Sequence, residues 1–330
     1  MTRWTQCTLA ACLAAVGAGA AMAAAPVYRI EPIPDAGRLA PSFASAVNSK
    51  GWALGSAASG QRSACYIHAD GVSRLVPDSD DAICFGLNDQ GDVVGQIGSQ
   101  AYWWPNDGPR QAIAGMQHAM SINNRREIAG VARFGDANDR AALYADGVLT
   151  DLGTLGGKMS YGLSINQAGA VTGRADIRTG ADRPFRWQRG GAMQNLGHIN
   201  GFDAGAEDIN DKGHVLGYTL DDRLVLVSFI DRNDGRGMRL LPGIKGQDLN
   251  CHAMNNLDDV VCDVFTDDER QYAALSVRGK STYRFTKLLD DSGQGWSGIT
   301  LGDINDAGQV VGGGKYQGAW RAFIATPVTR

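Results

Sequence analysis

The chain has 330 residues, 44% hydrophobic and 20% charged, with 44 glycines and a formal net charge of −4. That length can bury a sizeable core as one all-β or repetitive domain. Mild acidity, with no basic run longer than Arg125-Arg126, excludes a nucleic-acid binder, which needs clustered Lys and Arg to displace counterions from phosphates.

The N-terminus has a charge at Arg3, an apolar stretch from Leu9 and the small-residue pattern Ala21-Met22-Ala23. This reads as a cleavable secretory signal over residues 1–23, because the apolar run is too short to span a bilayer. The tetrad Leu9-Ala10-Ala11-Cys12 resembles a lipoprotein box, but the apolar segment before it is too short for a normal signal. The mature chain, 24–330, is expected to be a soluble monomer in the periplasm or outside the cell. Cys7 and Cys12 would leave with the signal, so Cys65, Cys84, Cys251 and Cys262 remain, an even number in an oxidising compartment. Four cysteines permit three pairings. Cys65–Cys84 and Cys251–Cys262 are the expected ones, and the second depends on hairpin register: a bulged turn would point its two cysteines to opposite faces.

From the mature N-terminus onward one phrase recurs, as in LNDQGDVVG from Leu87 and INDAGQVVG from Ile304. Its Asn falls at Asn48, Asn88, Asn123, Asn166, Asn210, Asn255 and Asn305, at separations of 40, 35, 43, 44, 45 and 50 residues. A period in that range signals a propeller, solenoid or array. The residue before the Asn is always apolar, from Val47 to Ile304, and so is the residue five after it, from Ala53 to Val310. Matched apolar positions around a turn make a hairpin. The Asn accepts from the turn backbone, and the Gly three residues on (Gly51, Gly91, Gly169, Gly213, Gly308) supplies the left-handed residue of a type I turn with a bulge. Arg126 and Asp258 replace that Gly in two units. A second Gly closes the phrase everywhere except at Cys262.

The rest of each unit is an aromatic strand, a Gly turn and another apolar strand, as in ALYADGVLTDLG from Ala142. The last unit lacks its final strand, whereas VYRIEPIP from Val27 is a strand without a unit. Placing one beside the other abolishes the open edges. The fold expected is therefore a seven-bladed β-propeller of four-stranded blades, its N-terminal strand completing the last blade. An open β-solenoid is the main rival, and the split last unit counts against it.

The segment DLGTLGG at Asp151–Gly157, followed by SYGLSINQAGAVTG and RPFRWQRGGAMQNLG, resembles the HAF-type probable extracellular repeat family. The match is best in the middle of the chain, and the naming tripeptide is altered to Arg183-Pro184-Phe185 and Arg321-Ala322-Phe323. The resemblance implies a secreted, propeller-like protein without assigned chemistry, so it brings no catalytic residues with it.

Function is expected where units differ, in loops on a rigid scaffold. The connections leading into the Asn hairpins carry Asp78, Asp80, Asp81, Asp203, Glu207, Asp208, Asp248, Asp290, Asp291 and Asp303, and the repeat places them on one face around the channel mouth. Clustered carboxylates suit Ca²⁺ or an acid/base pair acting on a glycan; as loop residues they equally satisfy turn backbones. Trp296 could stack a sugar or cover a core edge. His118 and His252, just ahead of their Asn residues, suit a base or metal ligand, against the commoner role of a hydrogen-bonded interior His. Asp231–Gly237 lacks full calcium-loop spacing and reads as an enlarged turn. Asp139-Arg140, Asp182-Arg183, Asp222-Arg223 and Glu269-Arg270 recur at one unit position and read as surface ion pairs. The function expected is a non-enzymatic secreted repeat protein presenting a binding face to a protein, glycan or surface polymer. The alternative is a carbohydrate hydrolase or lyase using channel-mouth carboxylates. No cofactor is required, and Ca²⁺ is the one ion these loops would suit.

Overall fold

The computed structural model describes residues 25–329 apart from 38, 60–61, 136–137, 244–246 and 267–270. The signal segment, Cys7, Cys12 and the Glu269-Arg270 pair lie outside the described residues.

Each repeat folds where its turn chemistry dictates. In all seven units the Asn N–H bonds to the carbonyl four residues on, and the residue at the Gly position donates back to the Asn carbonyl, at 2.8–3.1 Å. That residue has φ of 61–85° in every unit, including Arg126 at 61° and Asp258 at 62°. The result is seven antiparallel four-stranded sheets. The first comprises Ala40–Val47, Ala53–Ser59, Arg62–Ala69 and Val72–Leu75. The strand that ends at the Asn turn begins each sheet: Ala40–Val47, Ile83–Leu87, Met116–Ile122, Gly156–Ile165, Ala204–Ile209, Asp248–Met254 and Trp296–Ile304. These inner strands ring a central channel, so the sheets are the blades of a seven-bladed β-propeller. The only described helices are two single 3₁₀ turns, Phe285–Lys287 and Asp291–Gly293.

The seventh blade is completed from the other end of the chain. Val27–Pro32 pairs antiparallel with Ala319–Thr329, Arg29 opposite Thr326 and Pro32 opposite Phe323. Tyr28 and Ile30 are buried there with Phe285, Leu288 and Phe323. The core sits between the blades: one cluster joins Leu54, Cys65 and Ile67 of the first blade to Cys84, Val93 and Trp104 of the second.

Every inner strand carries a bulge three residues before its Asn, at Ser45, Phe85, Met120, Leu163, Glu207, His252 and Gly302. A bulge reverses the facing of the residues beyond it. This resolves the cysteine register: the turn at Asn255 is bulged, yet the second bulge at His252 restores Cys251 to a position opposite Cys262, and the two are bonded. Cys65–Cys84 ties the third strand of the first blade to the inner strand of the second. Cys262 also explains the missing second Gly. At Gly130 an added Cβ would strike the His118 carbonyl of the inner strand, and the equivalent Gly in the other blades meets the corresponding carbonyl. In the sixth blade that Cβ instead carries the disulfide.

Candidate functional site

The repeated Asn builds the channel mouth. Asn48 accepts from the N–H groups of Lys50 (3.1 Å) and Trp52 (2.9 Å), which fixes its own turn. Its Nδ2 then donates to the carbonyl of Asn88 on the next blade at 3.0 Å. The same donor link runs Asn88 to Asn123, Asn123 to Asn166, Asn166 to Asn210, Asn210 to Asn255, Asn255 to Asn305, and from Asn305 back to Asn48, at 2.9–3.2 Å. Seven buried side chains thus close a circle. The Asn amide suits this, because it places an acceptor oxygen and a separate N–H donor on one short side chain.

A second set of links lies outside it. The N–H of Ser49 donates to Asp89, that of Asp89 to Asn124, and so on through Gln167, Asp211, Asn256 and Asp306, at 2.7–3.0 Å. The signal for these links is in the sequence: the residue after the Asn always carries a side-chain oxygen. The circle and the outer links bound an open pocket of ≈ 220 Å³ at the mouth, whose walls also include Asp208 and Asp303.

At Gly51, Gly91 and Gly169 the turn lies against the preceding blade. A Cβ at Gly51 would meet Gln309 Oε1 at 2.6 Å, and one at Gly169 would meet Glu127 Oε2 at 2.9 Å. Where the Gly is replaced, the neighbour is complementary. Arg126 pairs with fully buried Asp92 at 2.9 Å and with Asp107 at 3.0 Å. Asp258 accepts from His214 and Arg232, each at 2.8 Å, and these partners hold its carboxyl below the usual range despite the opposing effect of burial.

The acidic residues expected on one face are divided. Asp78, Asp80, Asp81, Asp203, Asp248, Asp290 and Asp291 lie where chains enter the inner strands, whereas Asp208 and Asp303 lie two residues before their Asn, at the opposite mouth. The cause is strand length: the inner strand carries its last residues across to the other end of the channel. Several of the first group clasp neighbouring backbone. Asp248 accepts from Leu226 N–H at 2.9 Å, Asp203 from Asp182 N–H at 3.2 Å, and Asp290 caps the 3₁₀ turn through Ser292 N–H. Asp78 and Asp81 take left-handed φ of 54° and 56°.

Asp208 and Asp303 bridge blades. Asp208 accepts from the Ser164 hydroxyl (2.7 Å) and from the N–H groups of Ile209 and Met254 (2.8 Å each). Asp303 accepts from Ile304 and Val47 N–H at 2.7 and 2.9 Å. Burial pushes the Asp303 carboxyl up to about 7, and the nearby Asp208 charge adds to the rise. Burial raises Asp208 as well, its hydrogen bonds and His252 opposing. Glu207 is also pushed up to about 7 by burial, with Arg174 opposing.

The bulge residues differ in chemistry from blade to blade. Phe85, Met120 and Leu163 occupy the position that Glu207 and His252 hold in the fifth and sixth blades. His252 bonds through Nε2 to the Leu301 carbonyl at 3.0 Å, and His118 through Nδ1 to the Gln96 amide oxygen. Trp296 packs on Tyr316 and Phe323, ring centroids 4.9 and 5.5 Å apart, and covers a core edge. The expected Asp-Arg pairs form across strands and blades instead of between neighbours: Arg133–Asp139 (2.8 Å), Arg174–Asp182 (3.0 Å) and Arg183–Asp203 (3.6 Å). Among the described residues no three His, Cys, Asp or Glu side chains converge as a metal site requires, and no helix is long and apolar enough to cross a membrane.

No protein-family model matches the chain, and no curated protein matches it in sequence. Solved structures do. A protein described as TolB from Agrobacterium tumefaciens is 13% identical over 78% of this chain and 95% of its own, with a TM-score of 0.51. The β-propeller domain of the Trilobed protease from Pyrococcus furiosus is 9% identical over 89% of this chain and 96% of its own, at 0.58. YCF48, solved bound to D1 peptide, is 11% identical over 93% of this chain and all of its own, at 0.56. The likeness is one of fold.

Proposed function

We propose that this chain is an exported, non-catalytic β-propeller that presents a binding face to a macromolecule outside the cytoplasm. The observation that carries the reading is the saturation of the two carboxylates at the channel mouth, Asp208 and Asp303. Every oxygen of Asp208 and Asp303 already accepts a hydrogen bond, either from a neighbouring blade (Ser164, Met254 and Val47) or from the N–H of the following residue. A general acid or base must instead reach a substrate proton. Two disulfides support an oxidising compartment, as does the signal-like N-terminus, and the HAF-type resemblance points the same way. A peptide or protein is the favoured partner, since YCF48 shares the fold and was solved with a peptide.

The rival is a carbohydrate hydrolase or lyase, favoured only by the raised carboxyls in the channel. Peptide and glycan arrays probed with the mature protein, with and without Ca²⁺, separate the two. Saturable binding with the ligand recovered intact supports the binding reading. Turnover of a bound glycan that D303N abolishes would replace it.

A further inference from the structure

Between the first and second blades, away from the channel, lies a cleft of ≈ 180 Å³. Its floor is apolar, formed by Ile67, Val76, Val93 and Trp104. Its rim carries Arg74, Arg110 and three of the chain's 10 prolines, Pro77, Pro105 and Pro109. Proline fixes φ, so these walls are shaped before any ligand arrives.

Three polar features there lack the partners that would complete them. Arg74 is exposed and bonds only to the Asn106 amide oxygen at 3.3 Å. Arg110 bonds to the Asp78 carbonyl at 2.7 Å and lies 4.7 Å over the Tyr102 ring. Neither makes a salt bridge among the described residues, whereas most of the other described arginines do. A guanidinium has five N–H donors in a planar fork, and each of these uses one on a neutral oxygen. The third feature is Trp104: its side chain is 4% exposed and its indole N–H has no hydrogen-bond partner. An indole N–H only donates, so what completes it is an acceptor. Two cations against the single Asp78 carboxylate leave the cleft net positive on a chain whose total charge is −4.

We infer that this cleft binds an extended peptide segment through an acidic side chain. The peptide carboxylate sits in the fork of Arg74 and Arg110, where bidentate charge-assisted hydrogen bonds are strongest. An adjoining apolar residue covers the floor between the prolines, and a peptide carbonyl is the acceptor for the Trp104 indole N–H. A rigid, proline-lined trough with an indole donor suits an extended main chain. The inference rests on the binding function proposed above and names a site and ligand class for it.

The test is an array of acetylated, amidated pentapeptides probed with the mature protein, alongside titration with oligogalacturonate as a carboxylate from another source. The variants are R74Q/R110Q and, as a control far from the cleft, R223Q; all three arginines are exposed, so melting curves should match the parent. Expected are peptides enriched in Asp or Glu at one fixed position, with affinity falling more than tenfold in R74Q/R110Q, unchanged in R223Q, and weakening as salt rises. The inference is overturned if acidic residues are not enriched, or if R74Q/R110Q binds as the parent does. It is equally overturned if oligogalacturonate binds and peptides do not. Peptide binding that survives R74Q/R110Q removes this cleft and leaves the general binding function standing, whereas binding to no peptide, glycan or polymer sinks both.

Discussion

Replacing Asn48 by Asp tests whether the circle of asparagines holds the blades together. Asp keeps the acceptor oxygen that fixes the turn through Lys50 and Trp52, but it cannot donate to the Asn88 carbonyl 3.0 Å away. That carbonyl still receives the Gly91 N–H, so it is not orphaned, and the lost bond alone costs about 1 kcal/mol. The larger effect is a buried carboxylate facing a carbonyl oxygen at a site 6% exposed, which adds about 1–3 kcal/mol. The sum is about 2–4 kcal/mol. At about 2.1 cal/mol/K per residue, unfolding a chain of this size has an entropy near 0.6 kcal/mol/K, so Tm should fall by about 3–6 °C at pH 7. Burial raises the new carboxyl above its unfolded value. Its protonated form, which can donate again, therefore prevails as pH falls, and the gap between variant and parent should narrow toward pH 4. Differential scanning calorimetry from pH 4 to 8 reads both effects. A variant that melts with the parent at pH 7, or a gap that does not change with pH, would refute the reasoning.

Arg186 and Asp231 join the fourth and fifth blades at 2.8 Å with side chains 3% and 9% exposed; R186M should cost about 3–5 kcal/mol in chemical denaturation, and R186M/D231L should recover most of it. At Arg126 two effects oppose: Gly would relieve a left-handed φ worth about 1 kcal/mol, but it strips the cation from buried Asp92. The second should win, leaving R126G less stable by about 1–2 kcal/mol, with R126G/D92N restoring the loss; the same denaturation assay decides. Asp303 and Glu207, raised to about 7, keep protons in the native state that the unfolded chain releases above pH 4. Their contribution to stability is therefore greatest below pH 4 and lost as pH rises through 7. Melting temperatures across that window should show a fall toward pH 7 that is smaller in D303N.

Blade number, strand count and closure by the N-terminal strand were legible because they follow from the turn. An Asn followed by a left-handed residue flanked by matched apolar positions has one local solution, and the unpaired first and last strands have one global solution. What stayed hidden were parity effects. The bulge at Glu207, His252 and their equivalents has no residue-type signature, since Ser, Phe, Met, Leu, Glu, His and Gly all occupy it. Without it the alignment of Cys251 with Cys262 stays open; Asp208 and Asp303 reach the other mouth because the inner strand carries its last residues across the channel. The asparagines were read as turn residues alone, because their donation to the next blade becomes visible only when seven turns meet around one axis. Arg126 and Asp258 depart from the repeated Gly, and their partners Asp92 and His214 on the preceding blade are brought beside them only by the fold. The cleft of Arg74 and Arg110 was missed because its two cations come from different blades.

Ring closure is tested most directly by a cross-link between the chain ends. Arg29 faces Thr326 in the sheet that joins them, so R29C/T326C should form an intramolecular disulfide on mild oxidation. Peptide mapping should then recover those two positions bonded together, beside Cys65–Cys84 and Cys251–Cys262, with Tm raised. A double variant whose new cysteines stay reduced, or bond only between molecules, would contradict a closed ring of seven blades.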